Sequence, residues 1–110
     1  MINTNSNNQR NFMNLIGEKI RKDVNNEIRL LLLIANELYR KDRVSSYRNF
    51  CKKYLQKNSN LLNVLIYNDK KPSISVLLSL YLKLNQEKLL PYWQQKLSFC
   101  LLNKAMKGQR

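Results

Sequence analysis

Apolar residues return at helical spacing along most of this chain, and that periodicity narrows the fold more than any other feature. The first series reads Phe12, Leu15, Ile16, Ile20, Val24, Ile28, Leu31, Ala35, Leu38, the three-and-four rhythm of an amphipathic helix. It fits one long helix, or two broken near Asp23-Val24-Asn25-Asn26, where helix propensity is low. Leu30 to Ile34 is apolar on every face. Such a segment belongs at the centre of a bundle or in a subunit interface.

The rhythm continues downstream. Arg40 to Val44 is a charged connector, and Ser45 or Ser46 is placed to cap a helix running to Lys57. There Tyr47, Phe50, Cys51, Tyr54 and Leu55 form the apolar stripe. Asn58-Ser59-Asn60 ends that helix and can cap a short one, Leu61 to Tyr67. Asn68-Asp69-Lys70-Lys71-Pro72 reads as a loop. Ser73 can cap a helix reaching about Gln86, with Ile74, Leu77, Leu78, Tyr81 and Leu84 on one face. Pro91 suits the first turn of a last helix carrying Trp93, Leu97, Cys100, Leu101 and Lys104, with Gly108 as its stop.

The reading is therefore an all-α, single-domain bundle of four to five helices. Residues 1–11 form a disordered polar tail and 12–110 the helical domain. The two most apolar stretches, Leu30 to Ala35 and Val76 to Leu82, are expected to pack on each other. At 110 residues, a chain of this size buries roughly 65% of its unfolded surface on folding.

Charge is the second constraint. Twenty Lys and Arg face seven Asp and Glu, with no His, for a net charge of +13 and a pI near 10.1. A small domain with that charge repels itself when compact and attracts polyanions. The charge is uneven. Met1 to Tyr39 is nearly balanced, whereas Arg40 to Lys57 holds seven bases against Asp42 alone, and eight bases oppose two acids from Asn58 onward. Asn, Lys, Ile and Tyr are abundant while Gly and Pro occur only twice each, the signature of an A/T-biased genome such as an organelle or a reduced bacterium. That bias alone adds Lys, but it does not explain the shortage of acids.

On the Ser46 to Lys57 segment, Arg48, Asn49, Lys52, Lys53, Gln56 and Lys57 fall opposite the apolar stripe. Arg and Lys donate to phosphate oxygens, and Asn and Gln add phosphate, sugar or base contacts. The bland alternative is a solvated surface. The expected nucleic-acid-binding residues are Arg40, Lys41, Arg43, Arg48, Lys52, Lys53, Lys57, Lys70 and Lys71, extended by Lys104, Lys107 and Arg110. These bases are expected on one side of the bundle, away from Glu18, Asp23, Glu27 and Glu37. Tyr92 and Trp93 after Pro91 are the aromatic pair best placed to stack on bases. A helix–turn–helix with Glu27 to Lys41 first and Ser46 to Lys57 as the recognition helix is a weak reading, since the turn lacks the customary Gly.

The sequence argues against catalysis. Without His the commonest general base and metal ligand is missing. Cys51 and Cys100 are far apart and lack CxxC partners, so they read as buried free thiols and not as a zinc site. Gly17 and Gly108 cannot form a phosphate-cradling loop. No cofactor or metal is expected. Met1 to Asn11 lacks the apolar core of a signal peptide. No apolar run approaches the roughly 20 residues of a membrane span. The protein is expected inside the cell, in an organelle or the bacterial cytoplasm.

These features point to a non-catalytic helical module that binds RNA or a ribonucleoprotein through a basic helix face, with RNA slightly favoured over DNA because no base-reading motif is visible. The alternative is an assembly or adaptor subunit that packs its Leu-rich and basic surfaces on an acidic protein.

Overall fold

In the computed structural model, which describes residues 24–108, the first helix starts where the Asn25 side chain can close it. Helix α1 (Asn26–Arg40) has Asn25 as N-cap, its Oδ1 accepting from the Ile28 N–H at 2.9 Å. Glu27 in the first turn and Arg40 in the last suit the helix dipole. The break foreseen around Asp23 to Asn26 is thus a helix start. The Phe12 to Ile20 series and the expected tail, residues 1–11, lie outside the described residues.

Four more helices follow among the described residues, with no strand: α2 (Tyr47–Lys53), α3 (Leu61–Asn68), α4 (Ile74–Glu87) and α5 (Pro91–Met106). The all-α expectation holds. Ser46 caps α2 by accepting from the Asn49 N–H at 3.0 Å, and Ser73 caps α4 by accepting from Val76 at 3.3 Å. Each cap satisfies one of the first-turn donors that a helix leaves open, worth about 1 kcal/mol. Pro91 opens α5 as expected, and Gly108 follows its end in the left-handed region at φ 70°.

One cluster of buried side chains draws on all five helices, centred on Ile28, Leu31, Leu32, Ile34, Ala35 and Leu38 of α1. The stretch that is apolar on every face is therefore central, with Leu33 exposed and Leu30 half-buried. Val76 to Leu82 joins the same cluster through Val76, Leu77 and Leu80. The two stretches share a core but have different nearest neighbours: α4 lies closest to α5, and α1 to α3.

Two helices differ from their expected form. The helix expected to run to Lys57 ends at Lys53. Tyr54 and Leu55 both donate to the Phe50 carbonyl, Gln56 turns left-handed at φ 56°, and Lys57 N–H reaches the Cys51 carbonyl at 3.0 Å. Tyr54 and Leu55 remain buried, but as part of a turn. In α4 the buried face is Val76, Leu77, Leu80 and Leu84, while Leu78 is exposed and Ile74 and Tyr81 are half-buried. This helix has apolar residues on most sides, so spacing alone does not choose the inward one. Packing on α5 does.

Five non-glycine residues adopt positive φ: Asp42, Gln56, Asp69, Lys88 and Leu90. Each ends a helix or turns a connection. The sharpest case is the α4–α5 turn, where Lys88 and Leu90 are both left-handed. Gln94 braces it, its Nε2 donating to the Leu84 carbonyl at 3.3 Å and the Leu89 carbonyl at 2.8 Å.

Candidate nucleic-acid interface

The basic connector is fixed from below. Arg43 N–H donates to the Leu38 carbonyl at 2.8 Å, and Val44 is buried in the core. Arg40, Lys41 and Arg43 therefore stand exposed on an anchored segment. Arg40 makes a 3.4 Å ion pair with Glu37, a solvated contact of small energy.

On α2 the expected basic face divides. Arg48 and Lys52 are exposed. Lys53 instead reaches back, its Nζ donating to the Arg43 carbonyl at 2.9 Å. Asn49 also turns back, with Oδ1 accepting from the Ser45 N–H at 3.0 Å. Gln56 and Lys57, past the helix end, are exposed in the turn.

The underside of α2 is tied to α4. Tyr54 has a buried ring and donates its hydroxyl to Glu87 Oε1 at 2.5 Å, while Ser79 Oγ donates to the Tyr54 carbonyl at 3.3 Å. Burial pushes the Tyr54 hydroxyl well above the ordinary phenol range, and the Glu87 carboxylate adds to that, against a smaller opposing pull from Arg43. Tyr47 is raised by burial as well. Both phenols are structural.

Lys70 and Lys71 are exposed in the loop between α3 and α4. The loop begins with left-handed Asp69, whose Oδ1 accepts from Asn25 Nδ2 at 3.5 Å. Arg43 and Lys53 therefore lie beside the C-terminal half of α4, and Lys70 and Lys71 just before its N-terminus. A helix of 14 residues spans about 20 Å. Arg48, Lys52 and Lys57 lie on the chain between these two pairs, on α2 and the turn that follows it.

The C-terminal bases need a correction. Lys104 does not extend the surface. It is 3% exposed, and its Nζ pairs with Glu27 Oε1 at 2.8 Å. The helical spacing had already put Lys104 in line with Leu97, Cys100 and Leu101, on the inward side of α5. Its charge is used within the fold, against an acid of the first helix that was expected to lie elsewhere. Lys107 is exposed, and Arg110 lies outside the described residues.

Tyr92 and Trp93 meet edge to face, centroids 5.0 Å apart. Trp93 packs against the core, whereas Tyr92 is exposed with Lys96 Nζ 5.3 Å from its ring centre. Of this pair, Tyr92 offers the accessible ring.

Cys51 and Cys100 are free thiols, buried and half-buried. Burial raises both pKa values, and at Cys100 Glu27 adds to the rise while Lys104 and Lys71 oppose it. Among the described residues, no group of three or more His, Cys, Asp or Glu side chains could hold a metal ion. No described helix is long and apolar enough to cross a membrane.

Sequence reasoning missed the outer side of α3. Leu62 and Leu65 are buried, leaving Asn60, Asn63, Val64 and Tyr67 exposed. Spacing could have shown it, because these four residues follow the same i, i+3, i+4, i+7 rhythm as a buried stripe.

Residues 31–98 match the model of a family described as "Family of unknown function (DUF6626)", more than half of the chain. The protein belongs to this family. The matched region runs from within α1 through α2, α3 and α4 to the middle of α5. No curated protein and no solved structure gives a significant match.

Proposed function

We propose that this protein is a non-catalytic nucleic-acid-binding module. The observation that carries the reading is the exposed basic segment from Arg40 to Lys57, with Arg40, Lys41, Arg43, Arg48, Lys52 and Lys57 all facing solvent on anchored backbone. Asp42 is the one acid within that segment, and Glu37, expected to lie away from these bases, pairs with Arg40 at its edge. Bases held at fixed positions on a +13 chain suit a phosphate backbone, whose neutralisation releases condensed counterions. Lys70 and Lys71 supply a second anchoring point.

The test is the salt dependence of binding to labelled RNA and DNA by fluorescence anisotropy. Six phosphate contacts give a log–log slope of about −5 on duplex and about −4 on single strands. A slope near zero overturns the reading.

A separate observation supports the adaptor reading. Of the two surfaces expected to carry it, Leu30 to Ala35 is mostly buried, while Val76 to Leu82 exposes Leu78 and Leu82. The outer side of α5 also presents Tyr92, Phe99, Leu102 and Met106 to solvent, and exposed apolar rows of this kind mark protein contacts. Sedimentation of the isolated chain separates the readings: a clean monomer that binds nucleic acid counts for the first, and self-association without nucleic-acid binding for the second.

A further inference from the structure

The short helix α3 turns one row of side chains out to solvent. Asn60, its N-cap, together with Asn63, Val64 and Tyr67, sits at i, i+3, i+4 and i+7, so the four side chains share one side of the helix. That side faces solvent: Val64 is 48% and Tyr67 78% exposed. The opposite side, Leu62 and Leu65, is sunk into the core and fixes the rotation of the helix.

The chemistry of the outward side is specific. A carboxamide can bond an adenine N6 and N7 together in the major groove, and an apolar side chain can meet a thymine methyl. Asn63 and Val64 supply one of each on adjacent residues. Helix α3 itself carries no acid, the first one after it being its C-cap Asp69. Lys57 precedes the helix, Lys70 and Lys71 follow it, and all three are exposed.

The neighbouring helix fits the same arrangement. α2 packs closely on α3 and exposes Arg48 and Lys52. The connecting residues 54–60 are longer than the usual three- or four-residue turn, but they are braced. Lys57 N–H donates to the Cys51 carbonyl at 3.0 Å, Asn60 N–H to Asn58 Oδ1 at 2.8 Å, and Leu61 N–H to the Asn58 carbonyl at 3.0 Å. In a helix–turn–helix the first helix crosses the backbone and the second lies in the major groove. The pairing thus moves one helix downstream of the one the sequence offered, from α1–α2 to α2–α3.

We infer that α2 and α3 form a helix–turn–helix reader of duplex DNA, with Asn63, Val64 and Tyr67 at the base edges and Arg48, Lys52, Lys57, Lys70 and Lys71 on the phosphates. The inference rests on the nucleic-acid reading above and adds the kind of nucleic acid and the residues that read it. A deep, narrow A-form major groove does not admit side chains in this way, so duplex RNA is a poor fit for α3.

The test is selection with the full chain from a random-sequence duplex DNA library. It is followed by anisotropy on the enriched duplex, a scrambled duplex and a single-stranded RNA of the enriched sequence. The enriched duplex is expected to bind tightest. Asn63→Ala is expected to reduce the preference over the scrambled duplex by about 5- to 150-fold, leaving scrambled binding and thermal stability unchanged. Asn63→Gln, which keeps the amide but displaces it, should also lose the preference. Changing Lys70 and Lys71 to Gln should weaken both duplexes alike. Three results overturn the inference while leaving the phosphate-binding reading intact: no enriched sequence, a preference that survives both Asn63 variants, or tighter binding to the RNA. Failure to bind any of the three probes overturns both.

Discussion

Helices α3 and α5 each leave one side to solvent, and the two sides carry different chemistry. α3 shows Asn63, Val64 and Tyr67 between lysines, whereas α5 shows Phe99, Leu102 and Met106. The inner sides differ as well. α3 turns in Leu62 and Leu65 alone, while α5 turns in Leu97 and a lysine matched to a glutamate. Net charge alone blurs the contrast: the +13 total does not distinguish the two sides, and their outward residues do. The α3 side sets the amides of Asn60 and Asn63 beside Val64 and Tyr67, and the α5 row is apolar.

The largest expected effect breaks the α5 side of this contrast. Lys104→Ala leaves the Glu27 carboxylate unpaired and nearly buried, which is expected to destabilise the fold by about 3–5 kcal/mol. Lys104→Met combined with Glu27→Leu should recover most of that, because an apolar pair removes the stranded charge. Urea unfolding midpoints of the single and double variants check both.

Next in size is the anchor under α2. Tyr54→Phe removes the donor to Glu87 and is expected to cost about 1.5–3 kcal/mol, read from the same unfolding curves. Alkaline pH probes this anchor as well. Tyr54 and Tyr47 have raised pKa values when folded, so their contribution is constant below the unfolded phenol value of about 10. Above it the unfolded state ionises first and stability falls. Cys51 and Cys100, also raised, start a shallower decline above about 8.5. Tyr54→Phe should flatten the steeper part of the pH–stability profile.

The α2–α3 side is tested by charge. Changing Arg48 and Lys52 to Gln removes two phosphate contacts and should flatten the log–log salt slope by about 1.8 on duplex DNA. Adding Lys53→Gln should change it less than either of these, because Lys53 is already held by the Arg43 carbonyl. A slope that responds to Lys53 as strongly as to Arg48 would place the interface on the connector instead.

The smallest effect sharpens the α5 side. Phe99→Ser with Leu102→Ser alters exposed residues only, so stability should move by no more than about 0.5 kcal/mol for each change. Any self-association seen by sedimentation should disappear. If it persists, the apolar row is not the contact.

Helix positions were largely legible because the local signals agree with the fold. Ser46, Ser73 and Pro91 sit where caps and first turns belong, and the α1 stripe is the buried one. The signal failed where it was over-supplied or where a local turn competed. α4 has too many apolar sides for spacing to fix its rotation, and the stripe through Tyr54 and Leu55 continues past the point where the helix stops. Residue type misled at Lys104: lysine reads as surface, and only Glu27, 77 positions earlier, lets it lie buried. For the candidate site, the basic residues were visible as a run, but the use of Lys53 and Lys104 within the fold was not. The outward side of α3 was not legible from charge, because Asn60, Asn63, Val64 and Tyr67 are uncharged.

The five left-handed positions held by Asp42, Gln56, Asp69, Lys88 and Leu90 are a reserve of thermal tolerance. Glycine occupies such backbone freely, while most other residues cost about 1–2 kcal/mol there. Glycine replacement at Gln56 and Lys88 is therefore expected to raise the heat resistance of the fold without altering a core side chain or a proposed base-reading one.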